Sequence, residues 1–223
     1  MTKPRVLIFS DYYLPGVKAG GPIRSLAGLV DALKNDVNFS VVTRDRDWGD
    51  GEPYPSLPTK LDEVNVHYLS PAELTFSNMK RIVDEVSPQI IYLNSFFSWH
   101  FSIKLLCLQY IGRLKNIKIL LAPRGEFSRG ALRLKSIKKN IYLKLAKLLG
   151  MYKKITWHAT SKSEEIDIKS VFPNARIMLA GNLPSIQLTN DKKSHKREGA
   201  LRLVFLSRIS RKKNLHFALD QLS

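Results

Sequence analysis

The sequence predicts an α/β protein built on a doubly wound, mostly parallel sheet. Short apolar runs of strand length recur along the chain, and most are followed by a stretch whose apolar residues are spaced three or four apart. The opening shows the pattern most clearly. Arg5-Val-Leu-Ile-Phe-Ser10 runs into a glycine-bearing loop, 11–22, and then into a helical stretch with Ile23, Leu26, Ala27, Val30 and Leu33 on one side. In such a unit the loop lies at the carboxyl end of the strand, where glycine backbone and a helix N-terminus together receive an anion.

The remaining elements follow in order. A second strand at 39–43 precedes a long irregular loop, 44–60, rich in Asp, Gly and Pro. Residues 64–68 alternate like a strand, and 71–86 have helical spacing at Leu74, Met79, Ile82, Val83 and Val86, with Pro71 suited to a first turn. A buried strand at 89–93 leads to a helix at 98–114, then to a strand at 117–122 and a loop at 123–128. The spacing predicts one helix over 130–149, with Leu134, Ile137, Ile141, Leu145 and Leu148 on a single apolar face and basic residues elsewhere. A strand at 155–160, a short helix after Ser161 capped with the help of Glu164, and a strand at 176–179 complete the first domain, 1–180. Composition then turns polar. Residues 190–198 contain no apolar side chain, so 181–200 reads as an interdomain linker, and 201–223 restart a β-loop-α pattern as the beginning of a truncated second domain.

Charge narrows the partners. Lys and Arg outnumber Asp and Glu by 36 to 19 in 223 residues, a formal net charge of +17, so the favoured partner is anionic: phosphate, lipid headgroup or nucleic acid. The single Cys107 excludes a disulfide framework and fits a reducing compartment. No leader-like segment precedes the first strand, and the apolar stretch 96–111 is interrupted by His100, Lys104 and Gln109, so a cytoplasmic protein is expected. Between 129 and 154 there are nine Lys or Arg and no Asp or Glu. This is either a solvated basic helix or one that rests on the anionic inner face of a membrane.

Five segments together resemble glycosyltransferase family 4. They are Gly20-Gly21, Ala122-Pro-Arg-Gly-Glu126, Ala159-Thr-Ser-Lys-Ser-Glu164, Gly181-Asn182 and Phe205-Leu-Ser-Arg-Ile-Ser-Arg-Lys-Lys213, in that order and at the family's spacing. The resemblance implies the GT-B architecture, two Rossmann-like domains facing across a cleft. It also implies sugar transfer from a nucleotide-sugar donor, UDP- or GDP-linked, with retention of configuration and no metal or other cofactor. The acceptor would be a glycan, lipid-linked in the sharper reading, in surface polysaccharide synthesis.

Each segment offers candidate residues. Gly20 and Gly21 let backbone approach the donor diphosphate, with a tight turn as the plain alternative. Arg24, in the helix behind them, is either an acceptor contact or a solvated surface arginine. Asn94, after the fourth strand, stands where the family often carries a histidine, and His100 follows six residues later. Asn94 can hydrogen-bond a sugar hydroxyl but cannot act as a base, so His100 is the alternative titratable group. Arg124 and Glu126 either contact the acceptor or pair with each other. Thr160, Ser161 and Glu164 are explained by helix capping. By the resemblance, Arg208 and Lys213 grip the donor diphosphate and stabilise the departing nucleotide.

The family's paired glutamates, E-x7-E, have no counterpart before Ser223, so little transfer is expected from this chain unless another polypeptide supplies the rest of the donor pocket. Other classes fit less well. A basic, non-catalytic α/β protein that binds membrane or nucleic acid accounts for the charge, but no zinc-finger, RNA-recognition or helix-turn-helix pattern is present. Neither Gly-x-Gly-x-x-Gly nor Gly-x-x-x-x-Gly-Lys-Ser/Thr occurs after the first strand, which disfavours a nicotinamide enzyme and a P-loop kinase.

Overall fold

The computed structural model describes residues 2–61, 63–133, 136–183, 199, 203–205 and 214–222. The chain divides into two compact units, Met1–Ser185 and Ile186–Ser223.

The first unit is built on β1 (Arg5–Phe9), whose Leu7, Ile8 and Phe9 are all fully buried. A continuous apolar run is needed because successive side chains enter different layers, and both layers are covered. Leu7 and Phe9 join one core with Val42, Ile91 and Leu93, while Ile8 joins the other with Val41 and Tyr92. The strands β2 (Asn38–Arg44), β3 (Lys60–Leu61), β4 (Val64–Leu69), β5 (Ile90–Leu93), β6 (Lys118–Leu121), β7 (Thr156–Ala159) and β8 (Arg176–Leu179) complete an eight-stranded sheet. Its order is β3-β4-β2-β1-β5-β6-β7-β8. Every adjacent pair is parallel except the short β3 against β4. The doubly wound, mostly parallel sheet read from the sequence is therefore the fold. Strand order reverses between β1 and β5, so a crevice opens at their carboxyl ends.

The helices form where their caps and apolar spacing place them. Gly20 caps α1 (Gly21–Leu33) with φ 77°, a left-handed value that glycine adopts without strain; Ile23 is buried, and Leu26 and Val30 join the smaller core. Thr75 caps α2 (Phe76–Val86) by accepting from the Asn78 amide at 3.1 Å, and Met79, Ile82 and Val83 are buried on its other side. A π-helical turn, Trp99–Ile103, opens α3 (Lys104–Tyr110), and Ser161 caps α6 (Lys162–Val171).

The region expected as one helix over 130–149 is helical at α4 (Arg129–Arg133) and α5 (Ser136–Leu148), and residues 134 and 135 between them lie outside the described residues. The face turned inward differs from the expected one. Leu143 and Ala146 are buried, whereas Ile137, Ile141, Leu145 and Leu148 are exposed. Helical spacing identifies a row of apolar residues, but what the helix packs against decides which row turns inward. Here that partner is an aromatic cluster around Phe96, whose ring contacts those of Phe97, Phe127, Tyr142, Tyr152, Trp157 and Phe172. Tyr142 of α5 belongs to this cluster and draws its own side of the helix inward.

In the second unit, α7 (Leu215–Asp220) forms near the expected position. No strand is present at 203–205 within the segment expected as one, and the rest of that segment lies outside the described residues.

Phe96 is fully buried at the centre of the aromatic cluster. Phe96→Ala should therefore lower unfolding stability by about 3–5 kcal/mol, the usual range for emptying a large aromatic site. Urea unfolding followed by tryptophan fluorescence measures this. A loss under about 1 kcal/mol would mean that the cluster closes around the gap.

Candidate functional site

The crevice is framed first by the loop after β1. This loop is held from outside itself. Asp47 Oδ2 accepts from the amides of Val17 at 2.7 Å and Lys18 at 3.0 Å, and its Oδ1 accepts from the Trp48 amide. These backbone bonds keep the Asp47 carboxyl below its ordinary pKa despite burial. Tyr68 donates to the Leu14 carbonyl at 2.6 Å, and a Cβ on Gly16 would run into Tyr54 and Asp47. The loop therefore delivers Gly20 and Gly21 to the start of α1 in a fixed path. Both have open space where a side chain would be. Pro22 supplies no amide donor to the helix N-terminus, and the Ile23 amide bonds the Gly20 carbonyl. Arg24 is exposed on the first turn.

On the other side of the crevice stands Arg124, after β6. It has φ 53°, and Gly125 follows with φ 74°, so two consecutive left-handed residues turn the chain sharply. Two glutamates hold this turn. Glu164 accepts from the Gly125 amide at 2.6 Å and also from the Thr160 amide and hydroxyl. Glu126 turns the other way, accepting from the Ser95 hydroxyl at 2.9 Å, the Phe97 amide at 3.2 Å and the Phe96 amide. Burial pushes the Glu126 carboxyl above its ordinary pKa, against the pull of these donors. No ion pair joins Glu126 to Arg124 among the described residues.

Arg124 reaches back across the crevice instead. Nε donates to Asn94 Oδ1 at 2.6 Å, Nη2 to the Tyr92 hydroxyl at 3.1 Å, and Nη1 to Asn182 Oδ1 at 2.6 Å. Asn94, buried just beyond β5, donates in turn to Ser10 Oγ at 3.2 Å. One arginine thus ties together the ends of β1, β5 and β6 and the segment after β8. Both polar ends of the Asn94 amide are used in this tie, which makes Asn94 a positioning residue for Arg124.

The tie continues to His158 inside β7. Its Nε2 lies 2.8 Å from the Ala180 carbonyl, which can only accept, so Nε2 carries the proton. In the neutral ring Nδ1 then accepts from the Tyr92 hydroxyl, 2.8 Å away, and the Tyr92 oxygen is left to receive Arg124. Burial lowers the His158 pKa, and the Arg124 charge adds to this. Burial also pushes the Tyr92 hydroxyl up to about 12, so Tyr92 stays a donor.

His100 lies outside this tie, in the π-helical turn. Burial and the charge of Lys104 lower its pKa, and its Nδ1 is buried without a partner among the described residues. Nearby, Arg44 pairs with Asp11 at 3.2 Å and lies 5.3 Å from the Phe101 ring centroid. Arg208 and Lys213 lie outside the described residues. Sequence reasoning missed Tyr92, His158 and Asp47, and it read Glu164 only as a cap. A histidine in the middle of a buried strand was the available signal for His158. Among the described residues no group of three or more His, Cys, Asp or Glu is arranged to hold a metal ion.

Comparison with known proteins bears on the fold. No family model matches the chain, and no curated protein does. Among solved structures the chain is similar to sucrose-phosphate synthase from Thermosynechococcus elongatus, with a TM-score of 0.56 and 16% identity over 81% of this chain. The chain spans about half, 48%, of that protein's length. The likeness is one of fold, a mostly parallel, Rossmann-like α/β sheet shared with a GT-B protein.

The neutral His158 has a pH signature. A histidine whose folded pKa is depressed supports the fold fully above the unfolded value of 6.5, and that support is lost as pH falls through 6.5 toward the folded value. His67 and His100 are depressed as well and act in the same direction. His158→Gln cannot titrate, so its urea midpoint should fall less between neutral pH and mildly acidic pH than that of the parent. Equal slopes in the two proteins would show that His158 is not held neutral.

Proposed function

We propose that this chain forms the acceptor-side domain of a retaining glycosyltransferase that takes sugar from a UDP- or GDP-linked donor. The observation that carries the reading is the Arg124 tie. A guanidinium is fixed at the switch point of a GT-B-like sheet, where a ligand lying over the strand ends would meet it. Function cannot be taken from the fold alone, because folds of this kind host many chemistries. Support also comes from the resemblance of the five segments, of which Gly20-Gly21 follows β1 and the segment with Arg124 follows β6.

In this reading the Gly20-Gly21 backbone approaches the donor diphosphate, and by the resemblance alone Arg208 and Lys213, which lie outside the described residues, are the residues that add charge at the departing nucleotide. By the resemblance, no metal is required. Arg124 meets the acceptor, Asn94 positions Arg124, and Glu126 acts indirectly by shaping the 95–97 loop. The acceptor is a glycan carried on a lipid and destined for surface polysaccharide, and the site of action is the cytoplasmic face of the cell membrane. No described helix is long and apolar enough to cross a membrane.

Chemical-shift mapping on the 223-residue protein tests this reading. Titration with UDP and GDP should move the amides of Gly20 and Gly21, and a short oligosaccharide acceptor should move those of Arg124 and Gly125. Arg124→Ala should weaken the oligosaccharide response about tenfold or more, as expected when a charge-assisted hydrogen bond is lost. Movement of the same amides by NADH or an oligonucleotide, with UDP and GDP inert, would overturn it.

A further inference from the structure

The apolar row of α5 lies on the solvent side of the helix. Ile137 is 75% exposed, Ile141 62%, Leu145 51% and Leu148 83%. At about 100° per residue these four fall within an arc of about 80°, and at about 1.5 Å rise they run for about 16 Å along the axis. On the opposite side, Leu143 and Ala146 enter the core and Tyr142 bonds Tyr152. The helix is therefore anchored by one face and offers a second apolar face outward.

The lysines are divided in the same way. Lys139 donates to the Ala131 carbonyl at 2.7 Å and sits 4.8 Å from the Phe97 ring centroid, and Lys147 lies 5.5 Å from that of Phe172. Lys139 is half-buried against the protein, while Lys147 stays exposed beside its ring. Lys138 and Lys144 are exposed and, by the same angular count, border the apolar row on its two sides. No acidic residue lies anywhere between 129 and 154.

We propose that α5 lies flat in the headgroup layer of an anionic membrane, with Ile137, Ile141, Leu145 and Leu148 in the acyl boundary. Lys138 and Lys144 reach the lipid phosphates from either side, their stems lying along apolar surface while the ammonium groups stay in the polar layer. Charge complementarity selects this occupant. A nucleic acid would be met by the cations but would leave four large aliphatic side chains in water, whereas an anionic lipid surface satisfies both. The row runs along the helix axis, as a helix lying parallel to a membrane requires. This inference is independent of the transferase reading, because it rests on α5 alone. If both hold, the surface brings the crevice to a lipid-borne acceptor.

Vesicle sedimentation of the 223-residue protein tests the proposal, using phosphatidylcholine vesicles with and without phosphatidylglycerol. The parent should sediment with the mixed vesicles and remain in solution with pure phosphatidylcholine. Ile141→Ser/Leu148→Ser keeps the charge and removes half the row. Lys138→Gln/Lys144→Gln keeps the row and removes the flanking charge. Each pair should weaken binding about tenfold or more. Because all four positions are exposed, the thermal midpoints should match the parent, and that match rules out misfolding as the cause of lost binding. The proposal is overturned if the serine pair binds as the parent does, which would indicate simple electrostatic adsorption. It is also overturned if free glycerol phosphate competes the protein off the vesicles. A third overturning result is self-association of the parent through this row, seen in analytical ultracentrifugation as a dimer that the serine pair abolishes, with no vesicle binding.

Discussion

The structure depends on the hydrogen bonds that the Arg124 guanidinium makes across the switch point. A parallel sheet whose strand order reverses between β1 and β5 leaves backbone and side-chain polar groups facing each other at the strand ends. Partly buried groups of this kind are costly unless they are paired. Arg124 pairs three of them at once, and its left-handed backbone is the conformation that aims it there. Glu164 and Glu126 hold the same turn from opposite sides through backbone amides, so their charges steady the loop without forming an ion pair with the arginine. An arginine held in this way is pre-organised to meet a polar or anionic ligand.

Much of the fold was legible because the signals are local. Buried parallel strands require continuous apolar runs, and β1, β5 and β6 have them. Helix starts were legible where a cap is local, as at Ser161. The facing of α5 was not legible. The regular apolar row is the outward one, and the inward side, Tyr142, Leu143 and Ala146, is selected by rings contributed from 96, 127, 152, 157 and 172. The site divides along the same line. Asn94 and Arg124 could be placed at strand ends from the sequence, but their mutual hydrogen bond spans thirty residues. Tyr92 and His158 lie 66 residues apart inside strands that sequence reading treats as core. Asp47 sits in a loop whose support of 17–18 depends on β1 and β2 being neighbours.

The two surfaces of the first unit fit one economy of design. The carboxyl edge of the sheet gathers fixed polar groups, on which the proposed transferase reading rests. The outward row of α5, bordered by Lys138 and Lys144, carries the proposed membrane contact. Neither surface needs the other for its physical rationale.

The most direct measurement of the central claim is a double-mutant cycle on Arg124 and Tyr92, read by urea unfolding of the parent, Arg124→Ala, Tyr92→Phe and the combined variant. If Arg124, Tyr92 and His158 form one connected tie, the two substitutions should be non-additive by about 1 kcal/mol or more. Additivity within about 0.5 kcal/mol would contradict it, showing that Arg124 and Tyr92 contribute to stability independently.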